Sequence, residues 1–576
     1  MAEIAISTED WRTLPWQAYQ RNVYRLQKRI YQAARRGDGK CVRSLQRLLL
    51  RSWSARCLAT RQVTQDNRGK RTPGVDGIAS LTPEERLRLA HQLRYLTRWT
   101  VDPIRRTYIP KPNNPTEKRG LGIPTMRDRA MQALVKLALE PEWEAVFEPN
   151  SYGFRPGRST HDAIEAIFNF IRLQPKYVLD ADIEKCFDRI SHDGLLAKLH
   201  APQPIIRLIR AWLKAGILED GQTLFPEAGT PQGGVLSPLL ANIALHGFET
   251  FVSRNTRQHR AVVIRYADDF VILCDDLDAL LEAKTRAEEW LSQIGLRLKA
   301  EKTHITHTLD EHEGHIGFDF LGFTIRQYRV GKYRAHKRHA GYKTLIMPSR
   351  KATQRHLREL KALIRQYRGA PPAALIAELN PKIRGWTLYY QTCVAKRVFD
   401  KLDSLVHYKL SRWAYYRHKR KTGGWRYARY WKRNGTRDEF TDGTSTLTRY
   451  ADMPITRHIK VRGKASPFDG EWVYWGARLG RDPTKPKRVI RLLKQQHGRC
   501  PHCGLRFTTE DCWKFTTGTV ITTTIVRLTW CYCTPTAMTL LTQNGVSDND
   551  LSTEEPCDAK VSRTVREWQG GGRPPP

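Results

Sequence analysis

The chain has 576 residues, with 97 Lys+Arg against 58 Asp+Glu, a formal net charge of +39 and 40% hydrophobic side chains. It is long enough for several cored domains and too basic for its charge to serve solubility alone, so a polyanionic partner, most simply nucleic acid, is expected. No run of 18 apolar residues offers a membrane span, and the eleven irregularly spaced cysteines suggest a reducing compartment rather than a disulfide framework.

Met1 to Asp10 contains acidic residues and no long apolar run, which fits neither a secretory nor a transit leader. Residues 11–60 read as helices: Val23, Leu26, Ile30 and Ala33 recur at helical spacing, as do Leu45, Leu48 and Leu49, with Arg and Lys on the other face. That face is either solvated or laid on phosphate. Pro73 to Gly77 is a turn signal. Residues 108–124 are broken by Pro and Gly into a hairpin that carries Lys111 and Arg119, and a helix follows through 130–139. At 151–162 the string SYGFRPGRSTHD forms a glycine-rich turn, with Ser159 or Thr160 able to cap the next helix. Arg155 and Arg158 there either pack or meet nucleic acid.

The stretch 177–190 reads as a strand with Asp180 and Asp182 on one face, and Phe187 follows five residues after Asp182. At 229–245, Gly233 and Gly234 admit close backbone approach beside Gln232, and a buried helix follows from Leu239. Residues 261–273 place Asp268 and Asp269 between two β-branched runs, the pattern of strand, tight turn, strand. The plain explanation is an acidic turn, since Asp tolerates turn geometry. The chemical one is a metal site, because adjacent carboxylates repel, resist desolvation and suit hard Mg²⁺. Asp182 at a strand end and Asp268–Asp269 at a hairpin tip can converge on two ions, a standard device for phosphoryl transfer.

Lys302 lies in the string at 295–304, and Phe320-Leu-Gly-Phe-Thr324 holds Gly322 between two aromatics. Residues 345–420 are helical in pattern and basic, with Leu357, Leu360, Leu363 and Ile364 on one stripe. The string at 379–390 offers Lys382, Arg384, Trp386 and Tyr389, either to a nucleic acid or, for the two rings, to a core. Residues 411–438 interleave aromatics with basic residues such as Arg417, Lys419 and Arg420, a composition suited to a phosphate backbone and exposed bases. Near the end, Cys500-Pro-His-Cys503-Gly504 has the look of a zinc knuckle.

These motifs resemble those of reverse transcriptases. The Asp182 to Phe187 segment is similar to their first palm motif, and Tyr266-Ala-Asp-Asp269 to their YxDD box. The strings at 73–77, 151–162, 229–245, 295–304 and 320–324 each occur once, in the order found in group II intron-encoded reverse transcriptases. The string at 379–390 resembles the thumb, or maturase, segment of that family. The resemblance implies an α/β right-hand polymerase of fingers and palm, a helical thumb/maturase (X) domain, a basic DNA-binding domain and a small C-terminal region. Its expected boundaries are 1–64 for a basic helical extension, 65–335 for fingers and palm, 336–420 for the thumb, 421–485 for the DNA-binding domain and 486–576 for a degenerate or interrupted HNH-like region with a disordered tail.

By the same resemblance, Asp182, Asp268 and Asp269 are catalytic and, with the backbone carbonyl of Ile183, hold two Mg²⁺ ions. Lys111, Arg119, Phe187, Gln232, Gly233 and Lys302 meet the incoming nucleotide, with Phe187 beneath the sugar where it excludes a 2′-hydroxyl. Arg155, Arg158, Lys382, Arg384, Trp386, Tyr389, Arg417, Lys419 and Arg420 contact nucleic acid. The C-terminal region departs from the family's nuclease, since no histidine follows His502 and Cys531 and Cys533 are one residue apart. It is read as an interrupted nuclease without a general base, with a four-cysteine Zn²⁺ site of Cys500, Cys503, Cys531 and Cys533 as the alternative.

The implied function is RNA-directed DNA polymerisation, coupled to binding of the intron RNA for splicing and to intron mobility by target-primed reverse transcription. The implied partners are group II intron RNA, target DNA and dNTPs, with no membrane, in a cytoplasmic nucleoprotein particle of a bacterium. A retron or defence-type reverse transcriptase is the first alternative, and it would lack the 379–390 string and the long basic extension. A splicing-only maturase is the second, and it would not need all three aspartates.

Overall fold

The computed structural model describes residues 10–471 apart from 112–113, 220, 254–260, 332–340 and 436, and beyond them a few residues between 474 and 496 and a strand pair within 514–533. The chain falls into two compact units, one of 1–166, 176–306 and 461–470, the other of 167–175, 307–460 and 471–576. The division at 306/307 lies upstream of the expected boundary at 335/336.

In the first unit, helices Trp16–Arg35, Gly39–Arg51 and Trp53–Arg61 turn Val23, Ile30, Leu45, Leu49 and Ala55 into one core with helix Met126–Val146. The N-terminal helices are therefore part of this unit's core rather than an appendage. Helix Met126–Val146 is apolar on most sides, and Ala130, Leu134, Val135, Ala138 and Leu139 are fully buried. Its first turn encloses the buried carboxylate of Asp128, which accepts from Trp99 Nε1 (2.9 Å), Trp212 Nε1 (3.2 Å) and Asp102 N (2.9 Å). The segment 461–470 returns to this unit: Val461 N donates to Asp162 Oδ1 at 2.8 Å and Tyr24 Oη to Pro467 O at 3.1 Å.

The unit's strands are β1 (Ile104–Lys111), β2 (Asn114–Ile123), β3 (Tyr177–Asp182), β4 (Ile217–Glu219), β5 (Gln222–Leu224), β6 (Val262–Tyr266), β7 (Asp269–Cys274) and β8 (His304–His307), the last of which ends across the division. They form two sheets, a fingers sheet in the order β2-β1-β4-β5 and a palm sheet in the order β6-β7-β3-β8. Val263, Ile264 and Phe270 to Cys274 are buried, as a continuous apolar run requires. The palm register pairs Asp182 with Asp269, and Tyr266 with Asp269 across the β6–β7 turn.

The second unit opens with an antiparallel sheet of β9 (Phe318–Phe320), β10 (Phe323–Arg329) and β11 (Tyr342–Pro348). The helical pattern expected from 345 begins only at Arg350. Residues 342–348 pair along the whole of β10, and Ser349 then caps the helix through Ala352 N at 3.1 Å. Helices Arg350–Gln366, Pro372–Tyr390, Lys396–Arg417 and Gly423–Tyr430 follow, then a hairpin of β12 (Trp431–Asn434) and β13 (Arg437–Phe440).

Further on, β14 (Lys514–Val520) pairs with β15 (Arg527–Cys533). Cys531 and Cys533 lie on β15, whereas Cys500 and Cys503 lie outside the described residues, as does most of 486–576. The zinc and nuclease expectations fall there. Among the described residues no helix is long and apolar enough to cross a membrane.

Candidate active site

The palm sheet brings the three aspartates together from stretches far apart in sequence. Asp182 ends β3, opposite Asp269 at the start of β7, and Asp268 completes a two-residue turn with Ala267. Ala267 has φ +61, a region that costs an L-residue about 1 kcal/mol or more. The surroundings enforce it. Arg265, 3% exposed, donates to Ala267 O at 2.9 Å, to Asn242 Oδ1 at 3.1 Å and to Ser151 Oγ at 2.7 Å. Asn242 Nδ2 donates in turn to Gly153 O at 2.8 Å. Gly153 lies against the turn so closely that a Cβ there would be 2.3 Å from Ala267 N. Residues 150–152 flank β6, through Tyr152 N to Arg265 O and Arg265 N to Asn150 O, each 2.9 Å.

The carboxylates repel one another. Asp269 reaches solvent, yet the protein packed around the tip, together with Asp268 and Asp182, pushes its pKa up to about 7. Burial, then Asp182, raises Asp268 above the ordinary carboxylate value, while Arg119 and Lys302 draw it down. The ammonium of Lys302 is paired directly with Asp182. Among the described residues, no three His, Cys, Asp or Glu side chains are gathered tightly enough to form a metal cage. Next to Asp182, Lys299 N donates to Asp182 O at 2.9 Å and Glu184 N to Arg297 O at 3.0 Å. These two bonds bracket the Ile183–Leu298 bridge, so the Ile183 carbonyl is directed away from Leu298, to the β7 side of β3.

Phe187 lies half-buried in the short helix Cys186–Arg189, and its carbonyl accepts from Thr230 N at 2.5 Å. The loop that carries Thr230 continues to Gln232, whose carbonyl accepts from Gly122 N at 2.6 Å. Gly233 has φ +121, and a Cβ there would lie 2.5 Å from Gly122 O, so only glycine fits. Gln232 and Gly233 thus abut the end of β2. Arg119 is exposed on β2, and Lys111 is on β1 with its side chain outside the description.

Other expected contacts are placed elsewhere. Arg155 is buried, and its guanidinium donates to both Glu144 oxygens (2.8 and 2.9 Å), to Glu148 O (2.8 Å) and to Ser151 O (2.9 Å). With its fork filled by protein, it has no face for nucleic acid, which corrects that expectation. Arg158 donates to Pro149 O at 2.7 Å and Gly463 O at 2.5 Å, holding the 461–470 segment.

In the second unit, Trp386 stacks on His356 (5.1 Å, 11°) and contacts Tyr390, Phe399 and Tyr450. Tyr389 donates to Leu321 O at 3.0 Å and stacks on Phe323. Both rings are half-buried and pack against protein, as the core alternative expects. Arg417 donates to the carbonyls of Arg368 (2.8 Å) and Ala370 (2.6 Å), tying a helix connection. Lys382, Arg384, Lys419 and Arg420 are exposed, with Arg384 Nε 3.3 Å from Thr448 Oγ1. Sequence reasoning missed Arg265, Asn242 and Phe154. A lone Arg inside the apolar run of β6 was the available signal for the first.

A palm sheet that presents three carboxylates at one end, beside a basic hairpin and a glycine-rich loop, defines a nucleotidyl-transferring polymerase. Residues 109–325 match the reverse transcriptase (RNA-dependent DNA polymerase) family, 11–93 the N-terminal domain of reverse transcriptase, and 353–431 the group II intron maturase-specific domain. The chain is 32% identical to Protein YkfC of Escherichia coli over 47% of its own length and 81% of that protein. It is 40% identical to the group II intron-encoded protein LtrA of Lactococcus lactis over 32% of its length and 31% of LtrA. An apo telomerase from Candida tropicalis, truncated from its C-terminal domain, aligns with TM-score 0.31 and 16% identity over 39% of this chain and 53% of that one, too slight a likeness to bear weight. The chain belongs to the group II intron-encoded reverse transcriptase and maturase family.

Proposed function

We propose that the chain copies RNA into DNA at the Asp182–Asp268–Asp269 end of the palm, and that the same protein grips its intron RNA to promote splicing and mobility. The observation that carries the first part is the register that sets Asp182 beside Asp269 with Asp268 at the adjoining tip.

The donor chemistry suits Mg²⁺: hard oxygens, burial followed by mutual repulsion that raises Asp269 and Asp268, and Lys302 as a direct counter-charge to Asp182. Asp182 and Asp268 would hold the ions, with Asp269 assisting and the Ile183 carbonyl as a further oxygen. When bound there, the metal pair supplies a lowered pKa at the primer 3′-hydroxyl and charge neutralisation at the departing pyrophosphate.

The chain's own residues do the rest. Arg119 and Lys302, both felt electrostatically by Asp268, meet the triphosphate, and Lys111 on the paired strand joins them. Gln232 and Gly233 wall the nucleotide beside Gly122. Phe187 lies under the sugar. Lys382, Arg384, Lys419 and Arg420, all exposed, offer charge to nucleic acid. The region after 485 is read as an interrupted nuclease, so the primer is proposed to be a nascent strand at the target DNA.

The test is primer extension on an RNA template with Asp268→Ala. Extension should fall by about a hundred- to a thousandfold, the size expected when a principal electrostatic group at a reaction centre is lost, while RNA retention on a filter persists. Near-wild-type extension would refute the assignment.

A further inference from the structure

We propose that Phe154 is a positioning residue for Phe187 and, through it, a determinant of the choice between deoxyribo- and ribonucleotides; this rests on the reading of Phe187 as the residue beneath the sugar. Phe154 has φ +59, a conformation that a bulky L-residue adopts only where its surroundings impose it. They impose it from both sides. Before it, Gly153 is wedged against the backbone of the Ala267 turn and its carbonyl is held by Asn242. After it, the guanidinium of Arg155 is locked to Glu144 and to the carbonyls of Glu148 and Ser151.

A strained aromatic would ordinarily be explained by burial, yet Phe154 is 48% exposed. The strain instead brings its ring into a T-shaped contact with Phe187, with centroids 6.0 Å apart and planes at 78°. The main chain of Phe187 is already fixed through Thr230 N, so the freedom left to Phe187 is that of its ring. The ring of Phe154 limits that freedom. With that ring removed, the Phe187 ring can swing aside and leave room for a 2′-hydroxyl. The three residues that meet here, Gly153, Phe154 and Phe187, also connect the metal-facing turn to the sugar-facing wall.

The test uses the full chain, a defined RNA template with a DNA primer, and single-nucleotide addition of a dNTP or its ribonucleotide counterpart. Phe154→Ala and Phe154→Gly should each lower the ratio of kcat/KM for dNTP over rNTP by about tenfold, the scale of one lost pocket contact. Phe154→Gly should at the same time raise the thermal midpoint, because glycine adopts positive φ without strain. A merely structural role would not lower selectivity while raising stability. Phe187→Ala should lower the ratio at least as far, and adding Phe154→Gly to it should lower it no further.

A wild-type ratio in both Phe154 variants, with the ratio lost in Phe187→Ala, overturns the proposal and leaves the reading of Phe187 standing. Independent, multiplying losses in the double variant also overturn it. An unchanged ratio in Phe187→Ala removes the reading of Phe187 itself, and the proposal with it.

Discussion

At the scale of single residues, the site depends on a buried arginine as much as on its aspartates. Arg265 stays charged although burial lowers its pKa to about 10, with Glu148 the main opposing influence. Its fork joins β6, the 151–153 turn and the β6–β7 turn, so no shorter or neutral side chain can replace it. Arg265→Gln should cost about 3 kcal/mol in urea denaturation, as expected for breaking a buried charged network, and lower extension in parallel. Retention of both would show the network to be incidental.

The aspartates were legible in sequence because acidic pairs between apolar β-branched runs have few stable explanations. Arg155 was not, because its type and motif cannot reveal that Glu144 waits on the preceding helix to fill its fork. Trp386 shows the same limit: a ring in a basic string looks available to a base until His356 is found stacked on it.

At the scale of elements, the turn between β9 and β10 is formed by Leu321 (φ +49) and Gly322 (φ +84), a hairpin geometry with both central residues left-handed. Two successive tyrosines of helix Pro372–Tyr390 hold it, Tyr389 on Leu321 O at 3.0 Å and Tyr390 on Gly322 O at 3.1 Å. Tyr390→Phe should cost about 1 kcal/mol, the net value of one such bond, read by thermal unfolding of the full chain. No change would mean that packing alone holds the turn.

The helices Gly39–Arg51 and Met126–Val146 are joined by Gln46 Nε2 donating to Glu142 Oε2 at 2.5 Å, and burial pushes the Glu142 pKa from 4.5 up to about 7. The folded pKa is the higher one, so its stabilising effect is complete below the unfolded pKa and is lost as pH rises through the folded one. Glu142→Gln should therefore gain about 1–2 kcal/mol near pH 8 and nearly nothing near pH 4, measured by urea denaturation. A gain independent of pH would refute the titration.

Helix periodicity made the elements at 16–61 legible. The strand at 342–348 was not, because Leu345, Ile346 and Met347 form a short apolar run that fits either period.

At the scale of the whole molecule, the excess of cationic residues over acids is the dominant fact. Binding to the intron RNA should weaken linearly in log–log with salt, by about 0.7–0.9 per phosphate neutralised, as followed by filter retention. A flat response would exclude a broad phosphate-contacting surface. Composition pointed to a polyanionic partner; which arginines would serve it was not legible, since Arg155, Arg158 and Arg417 bind the protein's own carbonyls instead.

The proposed polymerase site requires divalent ions gathered by Asp182, Asp268 and Asp269. Fe²⁺ substituted for Mg²⁺, with ascorbate and peroxide, cleaves polypeptide beside the bound ion, and the fragments can be mapped by mass spectrometry. Cuts should cluster around 182–184 and 267–269 and vanish in Asp268→Ala. Cuts confined to other stretches, or persisting unchanged in that variant, would contradict the assignment.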